Sequence, residues 1–188
     1  MELVLIWNIY GLALACPTLK SAQKEANGVY HDTMKTYSAI LTTPFAALGI
    51  VTADGRLSAI EFLPPAMPAQ APQDALAREV CRQLECYLRD PQFRFDLLLA
   101  QPGTAFQRRV WAGIAAIPAG TTLTYAGLAE QVGSGARAVA NACGANPIVL
   151  VVPCHRVVGS HGLGGFMGGR QADSLNIKRW LLAHEGVL

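Results

Sequence analysis

Pro147-Ile148-Val149-Leu150-Val151-Val152-Pro153-Cys154-His155-Arg156-Val157-Val158 is an apolar run of strand-formers boxed by two prolines, and it delivers a cysteine, a histidine and an arginine in succession. A chain that needed only a core would not place that triplet there. A thiol reacts as its thiolate, and an ordinary cysteine, with a pKa of about 8.5, is mostly protonated near neutrality, so a reactive one wants cationic or proton-accepting company. His155 and Arg156 are candidates for that company. Taken alone, the three residues leave two readings open. Cys154 is a nucleophile, or it is a small buried hydrophobe beside a satisfied histidine and a surface arginine.

Around this stretch, 188 residues leave room for one or two small domains, and a 52% hydrophobic, 15% charged composition describes a soluble globular protein. The net charge of +2 divides unevenly: from Gln101 onward seven cations meet three anions, a balance of +4 that leaves −2 for the residues before it. A basic bias in the half that holds the triplet suits a polyanionic partner, although a surplus of this size also describes an ordinary solvated surface. The five cysteines, Cys16, Cys81, Cys86, Cys143 and Cys154, form no CxxC pair and no even disulfide framework, which points to a reducing, cytoplasmic setting. Cys81 and Cys86 fall on a predicted helix with no histidine between residues 34 and 101, so no metal site is expected.

Residues 1–33 are apolar from Leu3 to Cys16, but Asn8 interrupts the run. It is too short to span a bilayer as a helix, and Glu2 stands where a secretory signal wants lysine or arginine. These residues read as an extension outside the folded unit, with a signal segment as the alternative. From Thr36 the pattern becomes strand-like over 36–43, 45–52 and 56–63, with Asp54-Gly55 as a hairpin turn, and this predicts a small antiparallel sheet. The proline-rich connector 64–72 can hold neither helix nor ladder. Apolar spacing through Leu76, Val80, Leu84 and Tyr87 predicts a helix over 74–89 that ends at Asp90-Pro91. No chemistry is legible in this first domain, 34–100.

The second domain, 101–188, opens with Thr104 and Gln107 in capping-box spacing, followed by a buried stripe of Phe106, Val110, Trp111 and Ile114. Two short helical stretches, 125–131 and 136–145, flank Val132-Gly133-Ser134-Gly135 and suggest a helix-turn-helix with Ser134 available to cap the second helix. That second helix carries Ala136, Ala138, Ala140 and Ala142 with one arginine, Arg137. Such a helix suits close approach to a minor groove more than readout of base edges, or else it is a tightly packed interior helix. Six glycines between Gly159 and Gly169 make either a flexible surface loop or a pocket wall whose bare backbone can approach a planar ligand.

The run from Gly103 onward resembles the catalytic domain of the O6-alkylguanine-DNA alkyltransferases, the methylated-DNA-protein-cysteine methyltransferases. The resemblance is carried by Gly103-Thr104-Ala105-Phe106-Gln107-Arg108-Arg109-Val110-Trp111, Ile117-Pro118-Ala119-Gly120, Thr124-Tyr125, Arg137-Ala138-Val139, Asn146-Pro147-Ile148, Pro153-Cys154-His155-Arg156-Val157 and Leu181-Leu182-Ala183-His184-Glu185. Residues 34–96 match only in outline. The resemblance implies an α+β protein: an N-terminal antiparallel-sheet domain of ribonuclease H-like kind, then a mostly helical domain with a winged helix-turn-helix.

It further implies irreversible, stoichiometric transfer of an alkyl group from O6-alkylguanine in duplex DNA to Cys154, with the base flipped out of the stack. His155 and Glu185 would relay the cysteine proton, and Asn146 would order the active-site turn. Arg137 would fill the vacancy left by the flipped nucleotide, and Ala136, Ala138 and Ala140 would lie against the DNA. Tyr125, Val157, Phe166, Met167, Gly168 and Lys178 would form the base pocket. No cofactor is expected, because the alkyl carbon is already electrophilic once guanine is protonated. The partner would be double-stranded DNA, with no membrane association and a monomeric protein. Phe166 replaces a tyrosine usual in the family, and the segment from Arg170 to Asn176 is longer than usual. The rivals are a binding protein that flags alkylguanine without repairing it, a cysteine hydrolase using Cys154 and His155, and a sequence-specific regulator.

Overall fold

In the computed structural model, residues 36–169 and 174–188 are described. The expectation for residues 1–33 lies outside them, as do residues 170–173 of the long segment. Three antiparallel strands, β1 (Ala39–Thr42), β2 (Ala47–Ala53) and β3 (Arg56–Leu63), form a sheet in sequential order. Asp54 and Gly55 take φ values of 51° and 69°, the left-handed pair that a two-residue hairpin turn requires. The register slips between Val51 and Thr52, which pair with Ala59 and Leu57, so Ser58 is an extra residue in β3. That bulge changes the phase of the alternation and explains why Leu57 is buried along with Ile60 and Phe62.

Helix α1 (Ala75–Arg89) starts where Asp74 Oδ1 accepts from Ala77 N at 2.7 Å, and Thr52 Oγ1 donates to the other carboxylate oxygen at 2.7 Å. Its face of Ala77, Val80, Leu84 and Tyr87 is buried, and the helix touches all three strands. The connector is less inert than its prolines suggest. Gln70, between Pro68 and Pro72, exchanges both backbone hydrogen bonds with Ile40 at 3.0 Å and adds one bridge to the sheet edge.

Helix α2 (Ala105–Ala115) shows the reciprocal capping box, with Gln107 N donating to Thr104 Oγ1 at 3.2 Å and Thr104 N donating to Gln107 Oε1 at 2.8 Å. Trp111 is core: buried, with its indole N–H on the Ala142 carbonyl at 2.9 Å. After β4 (Leu123–Thr124) come α3 (Tyr125–Val132) and α4 (Ala136–Gly144), the expected pair around a glycine turn. Ser134 does not cap α4. Gly133 takes a left-handed φ of 65°, Ser134 N closes α3 on Ala129 O at 2.9 Å, and the N-cap position falls to Gly135. Nor is α4 an interior helix: Val139, Ala142 and Cys143 are buried, while Ala136, Arg137 and Ala138 face solvent.

The strand-formers at 148–152 do not form a strand. Asn146 clasps the segment instead: its Oδ1 accepts from Ile148 N at 3.1 Å and its Nδ2 donates to Val152 O at 2.8 Å. With those groups satisfied by a side chain, and with Pro147 and Pro153 unable to donate, the run folds into successive turns, Leu150 at a φ of 71°. Its apolar side chains fill the core between sheet and helices. Ile60 N donates to Pro147 O at 2.9 Å, so the sheet holds the turn from its far side. Asn146→Ala is expected to orphan the Ile148 amide and weaken the hold on Val152, costing about 2 kcal/mol and lowering Tm by roughly 6 °C in a thermal melt.

The chain continues through a one-turn 3-10 helix at Cys154–Arg156 into β5 (Val157–Val158), parallel to β4, and ends in α5 (Ser174–His184). Residues 36–188 pack as one compact unit, in which α1 lies against the three strands while α2, α3 and α4 pack against one another. Among the described residues no helix is long and apolar enough to cross a membrane.

Candidate active site

The proline-bounded turn delivers Cys154 to the wall of a cavity of about 230 Å³, lined also by Tyr125, Ala140, Cys143, Phe166, Met167 and Gly168. The cysteine is only 3% exposed, so this cavity is its route to any ligand. Burial raises its thiol above the ordinary value, opposed by a hydrogen bond from Asn146 and the charge of Lys178. At rest Cys154 is therefore a thiol, and it needs a base.

The next residue in sequence is paired with a buried carboxylate. His155 is 1% exposed and Glu185, just past the end of α5, is 5% exposed; His155 Nε2 and Glu185 Oε1 are 2.9 Å apart. Burial by itself would raise the Glu185 carboxyl, but hydrogen bonds from His155 and Arg156, and their charge, hold it down to about 2. An ionised carboxylate can only accept, so Nε2 carries the hydrogen and Nδ1 keeps its lone pair. Burial also pushes the imidazole below its ordinary value, outweighing the hydrogen bond and charge of Glu185. His155 is thus a neutral imidazole next to a fixed anion.

Arg156 does not assist the thiol directly. Its Nε and Nη2 grip Glu185 at 3.0 and 2.9 Å, and its Nη1 donates to Ile117 O at 2.6 Å. The cation whose charge acts on Cys154 is Lys178, wholly buried in α5. Its ammonium donates to the carbonyls of Val157, Leu163 and Gly165 at 2.6, 2.6 and 3.0 Å. Burial lowers Lys178 to about 8 against the pull of Cys154 and Cys143. Three carbonyls on one ammonium tie the glycine-rich segment to α5. Tyr125 adds to the tie, donating its hydroxyl to Gly165 O at 3.0 Å. Gly164, at a φ of 67°, lies against the Tyr125 ring, where a Cβ would come within 2.9 Å of the ring edge. The glycine segment is thus a held pocket wall and not a loose loop.

Residues 105–187 match the family model described as 6-O-methylguanine DNA methyltransferase, DNA binding domain. Over 158 residues the chain is 36% identical to the methylated-DNA-protein-cysteine methyltransferase of Methanosarcina acetivorans, covering 80% of this chain and 98% of that protein. The chain belongs to the O6-methylguanine DNA methyltransferase family. A methyltransferase of this name from Salmonella typhimurium is 53% identical over 92 residues, 47% of this chain and 51% of its own length. The crystal structure of the Mycobacterium tuberculosis O6-methylguanine methyltransferase superposes with a TM-score of 0.67 at 33% identity, covering 78% of this chain and 90% of that one. A structure of Mycobacterium tuberculosis OGT in complex with DNA gives 0.66 at 34% identity, with the same coverage. The α+β class read from the sequence agrees with these relatives.

Within this methyltransferase fold the expected residues separate into groups. Cys154, Tyr125, Ala140, Phe166, Met167 and Gly168 share the cavity, His155 and Glu185 form a buried pair next in the chain, and Asn146 holds the turn before Cys154. Val157 and Lys178, expected in the pocket, do not line it: the Val157 carbonyl is engaged by Lys178, which stands behind the wall. Ala136, Arg137 and Ala138 lie on the open surface of α4. Cys143, Asn141 and Gly144 also line the cavity and were not anticipated. For Asn141 and Gly144 the signal was available, since with Arg137 and Ala140 they follow the three- and four-residue spacing of one helical face. Tyr87, read only as part of an apolar stripe, reaches Glu185 from α1 with its hydroxyl at 2.8 Å.

Proposed function

We propose that this protein repairs O6-alkylguanine in duplex DNA by moving the alkyl group to Cys154, once per molecule. The observation that carries the reading is a buried thiol on the wall of a small cavity, its neighbour His155 bonded to the buried Glu185 at 2.9 Å. Burial keeps the thiol protonated at rest, so transfer must begin with its deprotonation. The Cys154 proton passes to Nδ1 of His155 through water, and Glu185 stabilises the resulting imidazolium. The thiolate then attacks the alkyl carbon in line. A carbon–sulfur bond forms, the carbon–O6 bond breaks with its electron pair going to guanine, and guanine takes up a proton at N1 or O6. Tyr125 is a hydrogen-bond donor suited to that ring, since burial above all pushes its phenol up to about 12 and keeps it protonated.

An alkyl carbon on a stacked base cannot be approached in line, so the nucleotide must leave the duplex at a cost of a few kcal/mol. The exposed face of α4 supports that step. Its alanines allow close approach to a minor groove, and its first turn, which no side chain caps, presents free N–H groups to phosphate. Arg137 fills the vacated space. Arg137→Ala is expected to slow transfer on duplex DNA by about 10-fold or more while leaving the reaction with free O6-benzylguanine within about 2-fold, because the free base needs no extrusion. Equal losses on both substrates would remove Arg137 from this role.

Intact-protein mass after exposure to an O6-methylguanine oligonucleotide tests the whole reading. The protein should gain one CH₂ unit, mapped to Cys154, in a single stoichiometric burst. An unchanged mass with DNA still bound would leave a lesion-flagging protein, and repeated turnover of a small ester would leave a hydrolase.

A further inference from the structure

Glu185 holds more than its histidine. Oε1 receives His155 Nε2 at 2.9 Å, Arg156 Nη2 at 2.9 Å and, from the other side of the molecule, the hydroxyl of Tyr87 at 2.8 Å. Oε2 takes Arg156 Nε at 3.0 Å and the Gly120 amide at 3.4 Å. Tyr87 belongs to α1, 98 residues away in sequence, and is 1% exposed. Its ring is pinned by Phe95 and His184, with centroids 5.6 and 5.3 Å away, and its carbonyl accepts from His184 Nε2 at 2.9 Å. A helix packed on the sheet has therefore sent an immobilised phenol onto the oxygen that faces the base.

We infer that Tyr87 is a positioning residue for alkyl transfer: its hydroxyl fixes Glu185 Oε1 against His155 and sets how strongly that carboxylate draws the imidazole proton. The inference rests on the roles given above to Cys154 and His155. Burial first, and then the Glu185 charge and hydrogen bond, keep the phenol protonated far above its ordinary range, so it donates at every working pH. A neutral donor on Oε1 disperses the anion's charge. Without it the carboxylate is more basic and stabilises the imidazolium more strongly. The other charges facing the pair, Arg156 and Lys178, both lower His155 and stay in place, and His184 touches the ring face of Tyr87 without reaching the carboxylate oxygens that His155 uses.

Tyr87→Phe keeps the ring and removes only the donor. His155 then protonates at a higher pH, so the acid limb of the single-turnover rate with free O6-benzylguanine, measured from pH 4.5 to 8, moves upward by about half a unit to one unit. The high-pH plateau should stay within about 3-fold of the parent. Superimposed limbs overturn the inference, and so does a uniform loss at all pH values that tracks a lowered Tm, which is what a purely structural tyrosine gives. If Tyr87→Phe does not fold, 3-fluorotyrosine placed at position 87 keeps the shape and strengthens the donor. The limb must then move downward, and an unmoved limb counts against the idea. Failure of the parent protein to gain mass at Cys154 would sink the repair reading instead, and the same preparations show which of the two has failed.

Discussion

Cys154→Ala gains no mass from O6-methylguanine DNA, a loss of at least ~10⁴-fold in transfer, yet it still binds duplex DNA. The separation follows from the structure, because Arg137 and the exposed turn of α4 lie outside the cavity that Cys154 lines. A second sulfur, Cys143, lines the same cavity and does not substitute for the first. Burial is the main cause that pushes its thiol up to about 12, and its neighbours in sequence, Ala142 and Gly144, offer no proton acceptor in their side chains. Removing one buried sulfur costs about 1 kcal/mol, so the variant should melt within a few degrees of its parent. The check is intact mass and peptide mapping beside a gel-shift titration. Mass appearing on Cys143 in the variant would contradict the assignment of the nucleophile.

Glu185→Gln should slow transfer by about 100-fold and destabilise the fold by about 3 kcal/mol. The neutral amide cannot stabilise an imidazolium, and it leaves the partly buried Arg156 guanidinium without its anion. The sign of the pH dependence is set by the lowered carboxyl, about 2 in the fold against an ordinary 4.5. A depressed acid contributes stability that is fully present above about pH 4.5 and is lost as pH falls through about 2. Its size here is about 3 kcal/mol. Denaturant titrations at pH 7 and pH 3 should therefore show a larger gap between parent and variant at pH 7. A variant equally destabilised at both values would mean that the carboxylate charge is not what holds this corner together.

Much of this architecture was legible because it is locally determined. Thr104 with Gln107, Asp54-Gly55 and the stripe of α1 each specify their element within a few residues, and each is present. The failures fall where distant groups compete for the backbone. Residues 148–152 have strand composition, but the Asn146 side chain takes the amide and carbonyl that a neighbouring strand would need. Ser134 has capping chemistry, but its own amide is drawn into closing α3. Cys154 and His155 stood out in the proline-bounded triplet, which by itself left two readings open, and Glu185 entered only through the family resemblance. Arg156 and Lys178 were assigned by nearness in sequence or by family, and the fold redirects both, one to a carboxylate and the other to three carbonyls behind the wall. Tyr87 could not have been found, since nothing in an amphipathic helix distinguishes a tyrosine that fills space from one that donates across 98 residues.

The hydrogen bond from Ile60 to the Pro147 carbonyl has a bearing on modularity. Apart from Tyr87, the side chains assigned to the chemistry lie in the second half of the chain, and a cut after residue 100 looks nearly harmless on paper. Such an excised half would lose the clamp on the rear of its reactive loop, and it would expose Ile148, Val149 and Leu150, all buried in the intact protein. The strands contribute no reactive atom, yet without them the sulfur would have no fixed address.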